Sequence, residues 1–242
     1  HYILDGKKIN IPFKEYREKS NPLVIIEQLA KYKEKNQYYI DNFMATKSIS
    51  NFIKINRGRL NYITHEATTY IRNIASEKDE SEMFVSFSGG KDSTVTSDLV
   101  INTLNKRIIH IYGDTTLEYP TTELYIKRFK LNHPIIPLLI SKNRDQDFND
   151  LCEVIGPPAR MLRWCCTVFK TGSITKKIDA TFKNKKKIIS FQGIRRNEST
   201  SRNKYERESY ESKIQKQVAV SPIIDWLDFD VWLYILSNNI DI

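Results

Sequence analysis

The stretch that decides the fold is Phe84-Val-Ser-Phe-Ser-Gly-Gly-Lys-Asp-Ser93, which joins an apolar run to a glycine turn. The run from Met83 to Phe87 is aromatic, β-branched and short, as is typical of a buried parallel strand. Gly89 and Gly90 follow it, and glycines allow positive φ and let backbone amides approach a ligand closely. The sequence therefore predicts a strand that ends in a ligand-binding turn.

The residues after the turn predict the N-terminus of a helix. Asp92, Ser93 and Thr94 supply capping oxygens, and apolar residues recur at helical spacing as far as Leu104. Unpaired amides and about half a positive charge of helix dipole converge at such a terminus, and Lys91 adds a full charge. This combination predicts a phosphate site, with a nucleotide as the leading ligand.

The turn admits two other interpretations. A Walker A loop requires Gly four residues before its Gly-Lys pair and Ser or Thr directly after it, whereas this chain has Val85 and Asp92 there. That interpretation fails. A glycine turn that merely ends a strand is the structural alternative, but a lysine, an acid and two hydroxyls in one turn favour a binding site.

Composition limits the class of protein. The chain has 242 residues, 40% of them hydrophobic and 28% charged, which fits one α/β domain with an extension or two small domains. We find no apolar run of about 18 residues and no signal-peptide pattern, so no membrane association is expected. Three cysteines without an even framework fit a reducing cytoplasm.

A charged, apolar-poor stretch at residues 77–82 predicts a domain boundary near residue 80. Residues 1–80 are predicted to form a mainly helical N-terminal extension, with helical spacing at 22–35 and 51–75 and a hairpin or arm before Pro22. Residues 81–242 are predicted to form the ligand-binding domain. The chain is also expected to be truncated at its C-terminus.

Apolar runs alternate with helical patterns in the second part of the chain. Strands are predicted at 83–87, 107–112, 134–140, 187–192 and 218–223, and helices at 94–104, 121–131, 148–155 and 228–237. Such alternation is typical of a Rossmann-like, five-stranded parallel sheet with helices on both faces. Ligands of such sheets bind at the carboxyl ends of the strands.

Five segments, in order along the chain, resemble the phosphoadenosine phosphosulfate (PAPS) reductase family of the PP-loop, adenine nucleotide α-hydrolase-like superfamily. The segments are Ser88-Gly-Gly-Lys-Asp-Ser93, Gly113-Asp-Thr-Thr-Leu-Glu-Tyr-Pro-Thr-Thr-Glu123, Arg163-Trp-Cys-Cys-Thr-Val-Phe-Lys170, Gly193-Ile-Arg-Arg-Asn-Glu-Ser199 and Ser221-Pro-Ile-Ile-Asp-Trp226 with Asp230-Val-Trp232. The resemblance implies an enzyme that binds ATP or an adenylylated substrate such as PAPS or adenylylsulfate.

The motifs and the resemblance together give a set of candidate site residues. Lys91 and Asp92 are the catalytic candidates. Residues expected to bind the nucleotide and its phosphates are Ser86, Ser88, Gly89, Gly90, Lys91, Asp92, Ser93, Thr94, Asp114, Thr115 and Gly193. Cationic residues expected to bind a sulfate or phosphate of the substrate, since guanidinium forks bind such oxygens bidentately, are Arg163, Lys170, Arg195 and Arg196.

Two of these assignments have structural alternatives. Asp114 follows a predicted strand, where its carboxylate suits a ribose or a metal-bound water, but it is also placed to cap the turn at Thr115 and Thr116. Trp164 suits either base stacking or core packing. His110, inside an apolar strand, is predicted to be buried rather than catalytic.

The adjacent pair Cys165 and Cys166 is a candidate metal site. The resemblance implies a [4Fe–4S] cluster in adenylylsulfate-type members, held by such a pair and a distant Cys-x-x-Cys. This sequence has no second pair, so it supplies two ligands where four are needed. Two structural or redox-inert thiols are the alternative, and a cluster would need cysteines outside these residues.

Three functions stay open at this level. The first is thiol-dependent reduction of an adenylylated sulfonucleotide to sulfite. The second is ATP pyrophosphate cleavage with adenylyl transfer, as in sulfur insertion into tRNA or DNA, in which Mg²⁺ would neutralise the phosphates. The third is a non-catalytic nucleotide-binding module. Expected partners are a small-molecule nucleotide, a thiol or sulfur-donor protein and, given the net charge of +9, a nucleic acid.

Overall fold

The computed structural model describes residues 2–4, 7–9, 44–105, 107–143, 145–159, 162–210 and 214–242. These fall into two compact units, His1–Ile55 and Asn56–Ile242. In the first unit, β1 (Tyr2–Leu4) pairs antiparallel with β2 (Lys7–Ile9), which agrees with a hairpin before Pro22. Helix α1 (Met44–Ser76) begins in this unit and ends in the second. The predicted helix at 22–35 lies outside the described residues.

The second unit alternates strands and helices as predicted. Its elements after α1 are β3 (Met83–Phe87), α2 (Lys91–Leu104), β4 (Ile109–Asp114), α3 (Pro120–Asn132), β5 (Leu138–Lys142), α4 (Phe148–Ile155), a π-helix (Cys166–Gly172), α5 (Ser173–Thr181), β6 (Ile188–Gln192), β7 (Glu208–Ser209), β8 (Gln217–Val220) and α6 (Asp228–Asn238). Short 3₁₀ turns lie at Glu80–Glu82, Arg196–Glu198 and Arg202–Lys204.

The large sheet has the order β5-β4-β3-β6-β8-β7. Its first five strands are parallel, which confirms the predicted fold class, and β3 is central, with Val85 paired to His110 on one side and to Phe191 on the other. The edge strand β7 is antiparallel to β8 and was not predicted. Because the chain moves outward from β3 to β5 and then crosses to β6, the topological switch point lies between β3 and β6.

Helices cover both faces of the sheet because side chains of β3 alternate between them. Met83 and Val85 enter one apolar cluster with residues of α1, α2 and α6, whereas Phe84 packs on the other face with Ile178 of α5 and with Phe182, which follows that helix. Phe87 joins a third cluster with α3. Burial of the central strand on both faces fixes the position of the turn that follows it.

The C-terminal half of α1 is part of this core. Ile63, Ala67, Ile71 and Ala75 are buried at helical spacing in the cluster that contains Met83. The second compact unit accordingly begins at Asn56, while the functional boundary near residue 80 stays a prediction. Within the part of the chain that the structure describes, no helix is long and apolar enough to cross a membrane.

His110 is buried in the sheet, as predicted. Its Nδ1 donates to the Ile108 carbonyl at 2.9 Å, so Nε2 is left to accept from the Ser97 hydroxyl at 2.7 Å. Burial lowers the pKa of His110 to about 4, which keeps the ring neutral near pH 7. The histidine therefore ties β4 to α2.

Candidate phosphate site

The loop after β3 is shaped by its own serines. The Ser93 hydroxyl accepts from the Ser88 amide at 3.2 Å and from the Ser88 hydroxyl at 3.0 Å, and it donates to the Gly90 carbonyl at 2.8 Å. Ser88 and Gly90 are exposed, whereas Ser93 is buried. Ser93 thus holds the loop from within, and Ser88 and Gly90 form its open surface.

Only one of the two loop glycines uses the left-handed backbone region. Gly89 has φ of +75°, whereas Gly90 precedes α2 with φ of −85°, a value that any residue adopts. A Cβ at Gly89 would also lie 3.0 Å from Ile126 Cδ1. The prediction of a special backbone conformation therefore holds at Gly89 and fails at Gly90.

Gly193 brings the end of β6 against the first turn of α2. A Cβ there would lie 2.5 Å from the Asp92 carbonyl oxygen and 2.7 Å from the Ser93 amide nitrogen. These are backbone atoms at the start of a helix and cannot move aside cheaply. Gly193 therefore sets the close approach of two chain segments at the switch point, although sequence analysis assigned it to nucleotide binding.

Arg195, two residues further, is buried against the loop. Its Nε donates to Asp92 Oδ1 at 2.9 Å and its Nη2 to Asp92 Oδ2 at 3.3 Å, a forked contact, and its side chain is only 4% exposed. Such a pair is geometrically specific because both donors of the guanidinium engage one carboxylate. Asp92, one of the two predicted catalytic residues, is thus the anchor of Arg195.

Two cations converge on a single carboxylate oxygen beside this pair. Lys91 Nζ and Arg195 Nη2 each lie 3.1 Å from Oδ1 of Asp228, the first residue of α6. Lys91 Nζ is also 3.5 Å from Asp92 Oδ2. The Lys91 ammonium in particular, with Arg195, holds the pKa of Asp228 below its usual range. We call these four residues, Lys91, Asp92, Arg195 and Asp228, the loop corner.

Thr94 and Ser86, also predicted phosphate ligands, lie away from the open surface of the loop. Thr94 is buried, and its hydroxyl is 3.1 Å from the hydroxyl of Tyr125 on α3. Ser86 is half-buried within β3, where it pairs with Ile111 and Gln192. The Thr94 hydroxyl thus joins two helices behind the loop, and phosphate binding by Thr94 stays a prediction.

Asp114 at the end of β4 caps the turn that follows it. Its Oδ1 accepts from the Thr116 amide at 2.8 Å, and its Oδ2 lies 3.1 Å from Lys142 Nζ at the end of β5. Thr115 donates its hydroxyl to Glu118 at 2.8 Å. Asp114 therefore caps the turn and Thr115 is engaged locally, while their part in nucleotide binding stays a prediction.

Arg196 points to a different set of partners from its neighbour. Its Nε donates to the Tyr205 carbonyl at 2.9 Å, its guanidinium pairs with Asp225, and its amide donates to the Ile224 carbonyl at 2.8 Å. Arg196 therefore braces the loops that follow β6 and β8. Of the two adjacent arginines, Arg195 is the one that reaches the loop corner.

The segment 163–170, here called the cysteine segment, leads into the π-helix. Arg163 and Lys170 are exposed, and Arg163 Nη2 lies 3.6 Å from Cys166 Sγ. Trp164 is buried against Phe148 and Phe169 and donates its indole N–H to the Gly156 carbonyl at 3.1 Å. Of its two alternatives, core packing is therefore correct for Trp164.

The cysteines do not fit an iron–sulfur cluster in this chain. Cys165 packs at the edge of the Trp164 cluster with Cys152, and all three cysteines are free. Among the described residues, no group of three or more His, Cys, Asp or Glu side chains is placed to hold a metal. Two adjacent thiols fall short of the four ligands that a cluster takes.

The basic run at residues 183–187 lies at the end of the sheet where the parallel strands begin, opposite the end that carries the loop corner. It precedes β6, so it sits at the amino end of a strand whose carboxyl end carries Gly193. Lys185 lies 3.5 Å from Glu82, and Lys187 stacks over Tyr210. These lysines therefore belong to a solvated connection and lie outside the candidate phosphate site.

Asp228 and Lys142 are the site residues that sequence analysis missed. Asp228 had one usable signal, because it is an acid in the first turn of a helix that follows a strand of the parallel sheet. Lys142 ends β5 as Asp114 ends β4, and neighbouring strand ends share one edge. Neither residue belongs to a quoted motif.

The chain is similar to known proteins over most of its length. The family model described as the phosphoadenosine phosphosulfate reductase domain matches residues 82–242. An uncharacterized protein of Methanocaldococcus jannaschii is 32% identical over 77% of this chain, which spans 38% of that protein. An adenosine 5'-phosphosulfate reductase of Oceanobacillus iheyensis is 28% identical over 63% of this chain and 61% of its own length.

Solved structures share the fold at low sequence identity. The phosphoadenylyl-sulfate (PAPS) reductase of Candida auris, in a phosphate complex, superposes with a TM-score of 0.56 at 14% identity, covering 75% of this chain and 86% of that one. The FMN adenylyltransferase of Candida glabrata superposes with a TM-score of 0.60 at 15% identity, covering 80% and 62%. At such identities the likeness shows the fold alone.

Proposed function

The chain belongs to the phosphoadenosine phosphosulfate reductase family, and on that basis we propose that it binds an adenylylated sulfonucleotide and supports its thiol-dependent reduction to sulfite. The observation that carries the proposal is the convergence of Arg195 and of Lys91, the first residue of α2, on one oxygen position, which Oδ1 of Asp228 holds in this structure. Two cations and a helix N-terminus make a site for a doubly charged phosphate or sulfate group.

Each part of the loop corner has a role in this proposal. Ser88, Gly89 and Gly90 form the open surface on which the anhydride of the nucleotide would lie. Lys91 and Arg195 would neutralise negative charge on the phosphate that is bonded to the sulfonyl group, as this S–O bond breaks and the nucleotide leaves. Asp92 would hold the Arg195 fork in place, because its two carboxylate oxygens accept from that guanidinium at 2.9 and 3.3 Å.

The chemistry requires a reductant. Attack of a thiolate on the sulfur of the sulfonucleotide breaks the S–O bond, releases the adenine nucleotide and leaves an S-sulfonated thiol. A second thiolate then attacks the sulfur of the first thiol. A disulfide forms between the two thiols, and sulfite leaves with the two electrons of the bond that held it to that thiol. We propose that these thiols come from a donor protein or from a segment outside residues 1–242.

The relative from Oceanobacillus iheyensis, an adenosine 5'-phosphosulfate reductase, supports a sulfonucleotide as the substrate. The cluster that such enzymes of the family bind is not part of the proposal, because two adjacent thiols do not complete it. Mg²⁺ belongs instead to the alternative, ATP pyrophosphate cleavage, where it would screen the β,γ-phosphates. Acceptors such as tRNA or DNA would also belong to that alternative.

The test uses the purified protein with a dithiol donor. It is incubated with adenylylsulfate, with PAPS, and with ATP and Mg²⁺, while sulfite and pyrophosphate are measured separately. Sulfite release that is lost in Lys91→Ala supports the proposal. Pyrophosphate release without sulfite would establish the ATP-cleaving alternative, and nucleotide binding without either product would indicate a non-catalytic module.

A further inference from the structure

The position where two cations meet in the loop corner is filled by the protein itself. Oδ1 of Asp228 lies 3.1 Å from both Lys91 Nζ and Arg195 Nη2, which are the distances that a phosphate oxygen would adopt between the same donors. The four charges of the loop corner sum to zero with Asp228 in place. Without its carboxylate they sum to +1.

Asp228 is held more loosely than the other members of the loop corner. Its side chain is 62% exposed, compared with 14% for Asp92 and 4% for Arg195. Its contacts are therefore screened by solvent and cost little to break. The Arg195–Asp92 fork, in contrast, is buried and does not depend on Asp228.

The backbone beneath Asp228 is fixed independently of its side chain. Asp230, fully buried, accepts from the Leu227 amide at 2.8 Å and from Arg59 of α1 at 2.5 and 2.6 Å. This contact holds the start of α6. The Asp228 carboxylate is therefore free to rotate towards solvent without any movement of the helix.

We propose that Asp228 is an internal anion that occupies the phosphate position of the free protein and is displaced by the incoming nucleotide. This inference rests on the proposed function, since it concerns the same site. Asp228 thereby sets a threshold, because a ligand must present more negative charge than one carboxylate to displace it.

Substitution of Asp228 by Asn tests the inference by calorimetry. ATP without metal and inorganic pyrophosphate are the anionic probes, and adenosine is the uncharged probe. Removal of a competing carboxylate should tighten binding of ATP and of pyrophosphate by about threefold to tenfold and leave adenosine unchanged. Asp228→Ser repeats the test if the Asn variant does not fold, because Ser also suits the start of a helix.

Asp179→Asn is the matched control. Asp179 is 59% exposed and lies 3.8 Å from Lys216, so its loss changes net charge equally but on the opposite face of the sheet. An equal gain in affinity for the anionic probes in both variants would show that net charge alone causes the effect. That result would overturn the inference. Weaker binding in Asp228→Asn would also overturn it, since Asp228 would then be a positioning residue for the cations.

Failure of the inference is distinguishable from failure of the proposed function. If the unmodified protein binds ATP and loses affinity in Lys91→Ala, the site is confirmed whatever Asp228 does. If that protein binds neither ATP nor pyrophosphate, and Asp228→Asn does not either, both the function and the inference are wrong. Tightening confined to the anionic probes and to Asp228 supports both.

Discussion

The loop corner and the cysteine segment are both rich in cations, yet they are built in different ways. In the loop corner, side chains from the start of α2, the end of β6 and the start of α6 meet within hydrogen-bond distance. In the cysteine segment, Arg163 and Lys170 come from one stretch of chain and are exposed. Convergence of distant segments, rather than local density of charge, distinguishes the loop corner from the cysteine segment.

The largest change in stability is expected from substitution of two glycines. Gly193 lies against the loop corner, and Gly172 ends the π-helix that begins in the cysteine segment. Gly193→Ala forces a Cβ to within 2.7 Å of three backbone atoms of Asp92 and Ser93, so we expect the free energy of unfolding to fall by about 2–4 kcal/mol. In Gly172→Ala, the new Cβ lies 3.0 Å from one atom, the Thr167 carbonyl oxygen, and helix propensity improves.

Denaturant unfolding of both variants measures this difference. We expect Gly172→Ala to stay within about 1 kcal/mol of the unmodified protein. Equal losses in the two variants would mean that the approach of β6 to α2 is no tighter than the packing of the π-helix. The contrast between the regions would then not hold.

A matched pair of arginine substitutions is the next test. Arg195→Met leaves Asp92 without its forked partner in a buried setting, which should cost about 2–4 kcal/mol of folding stability. Arg163→Met removes an exposed side chain and should cost no more than about 0.5 kcal/mol. Thermal and denaturant unfolding give both values, and a loss in Arg163→Met as large as that in Arg195→Met would contradict the account.

A smaller effect is expected from pH. The pKa of His110 is lowered to about 4 by burial, so the unfolded chain binds a proton that the folded chain does not between about pH 6.5 and pH 4. Stability contributed by neutral His110 is therefore full above pH 6.5 and is lost as pH falls. We expect a loss of about 1–2 kcal/mol between pH 7 and pH 5.

Two histidine variants check the source of that loss. His110→Gln should flatten the dependence of stability on pH in this range, whereas His65→Gln, at an exposed position of α1, should leave it unchanged. A steep dependence that survives in His110→Gln would assign the loss to carboxylates instead. The buried contact between β4 and α2 would then not be the source of the acid sensitivity.

Sequence patterns predicted elements whose signals are local. The helix predicted at 148–155 is found at those residues, and the strand, turn and helix around Gly89 follow from apolar spacing and glycine chemistry. The strand predicted from Pro134 begins instead at Leu138, because Pro134 and Pro137 lack the amide that a ladder needs. Strand β7 has two polar residues and no periodicity to detect.

The partners within the site were beyond the reach of sequence patterns. Arg195 and Asp92 are 103 residues apart, and only the order of strands in the sheet brings them together. The quoted motifs gave Arg195 and Arg196 equal weight, but the turn after β6 directs them to different partners. The start of a helix at Asp228 was predicted, but its contacts with Lys91 and Arg195 depend on how distant segments meet in the fold and not on a local pattern.

The affinity of the Lys91→Ala variant for an adenine nucleotide tests the central claim most directly. Calorimetry with ATP and with adenylylsulfate should show a loss of about 1.5–3 kcal/mol, or roughly tenfold to a hundredfold, because a charge-assisted contact to phosphate is removed. Lys183→Ala, an exposed lysine at the opposite edge of the sheet, should change affinity little. Equal affinity in Lys91→Ala and the unmodified protein would contradict the account, because the loop corner would then not be the phosphate site.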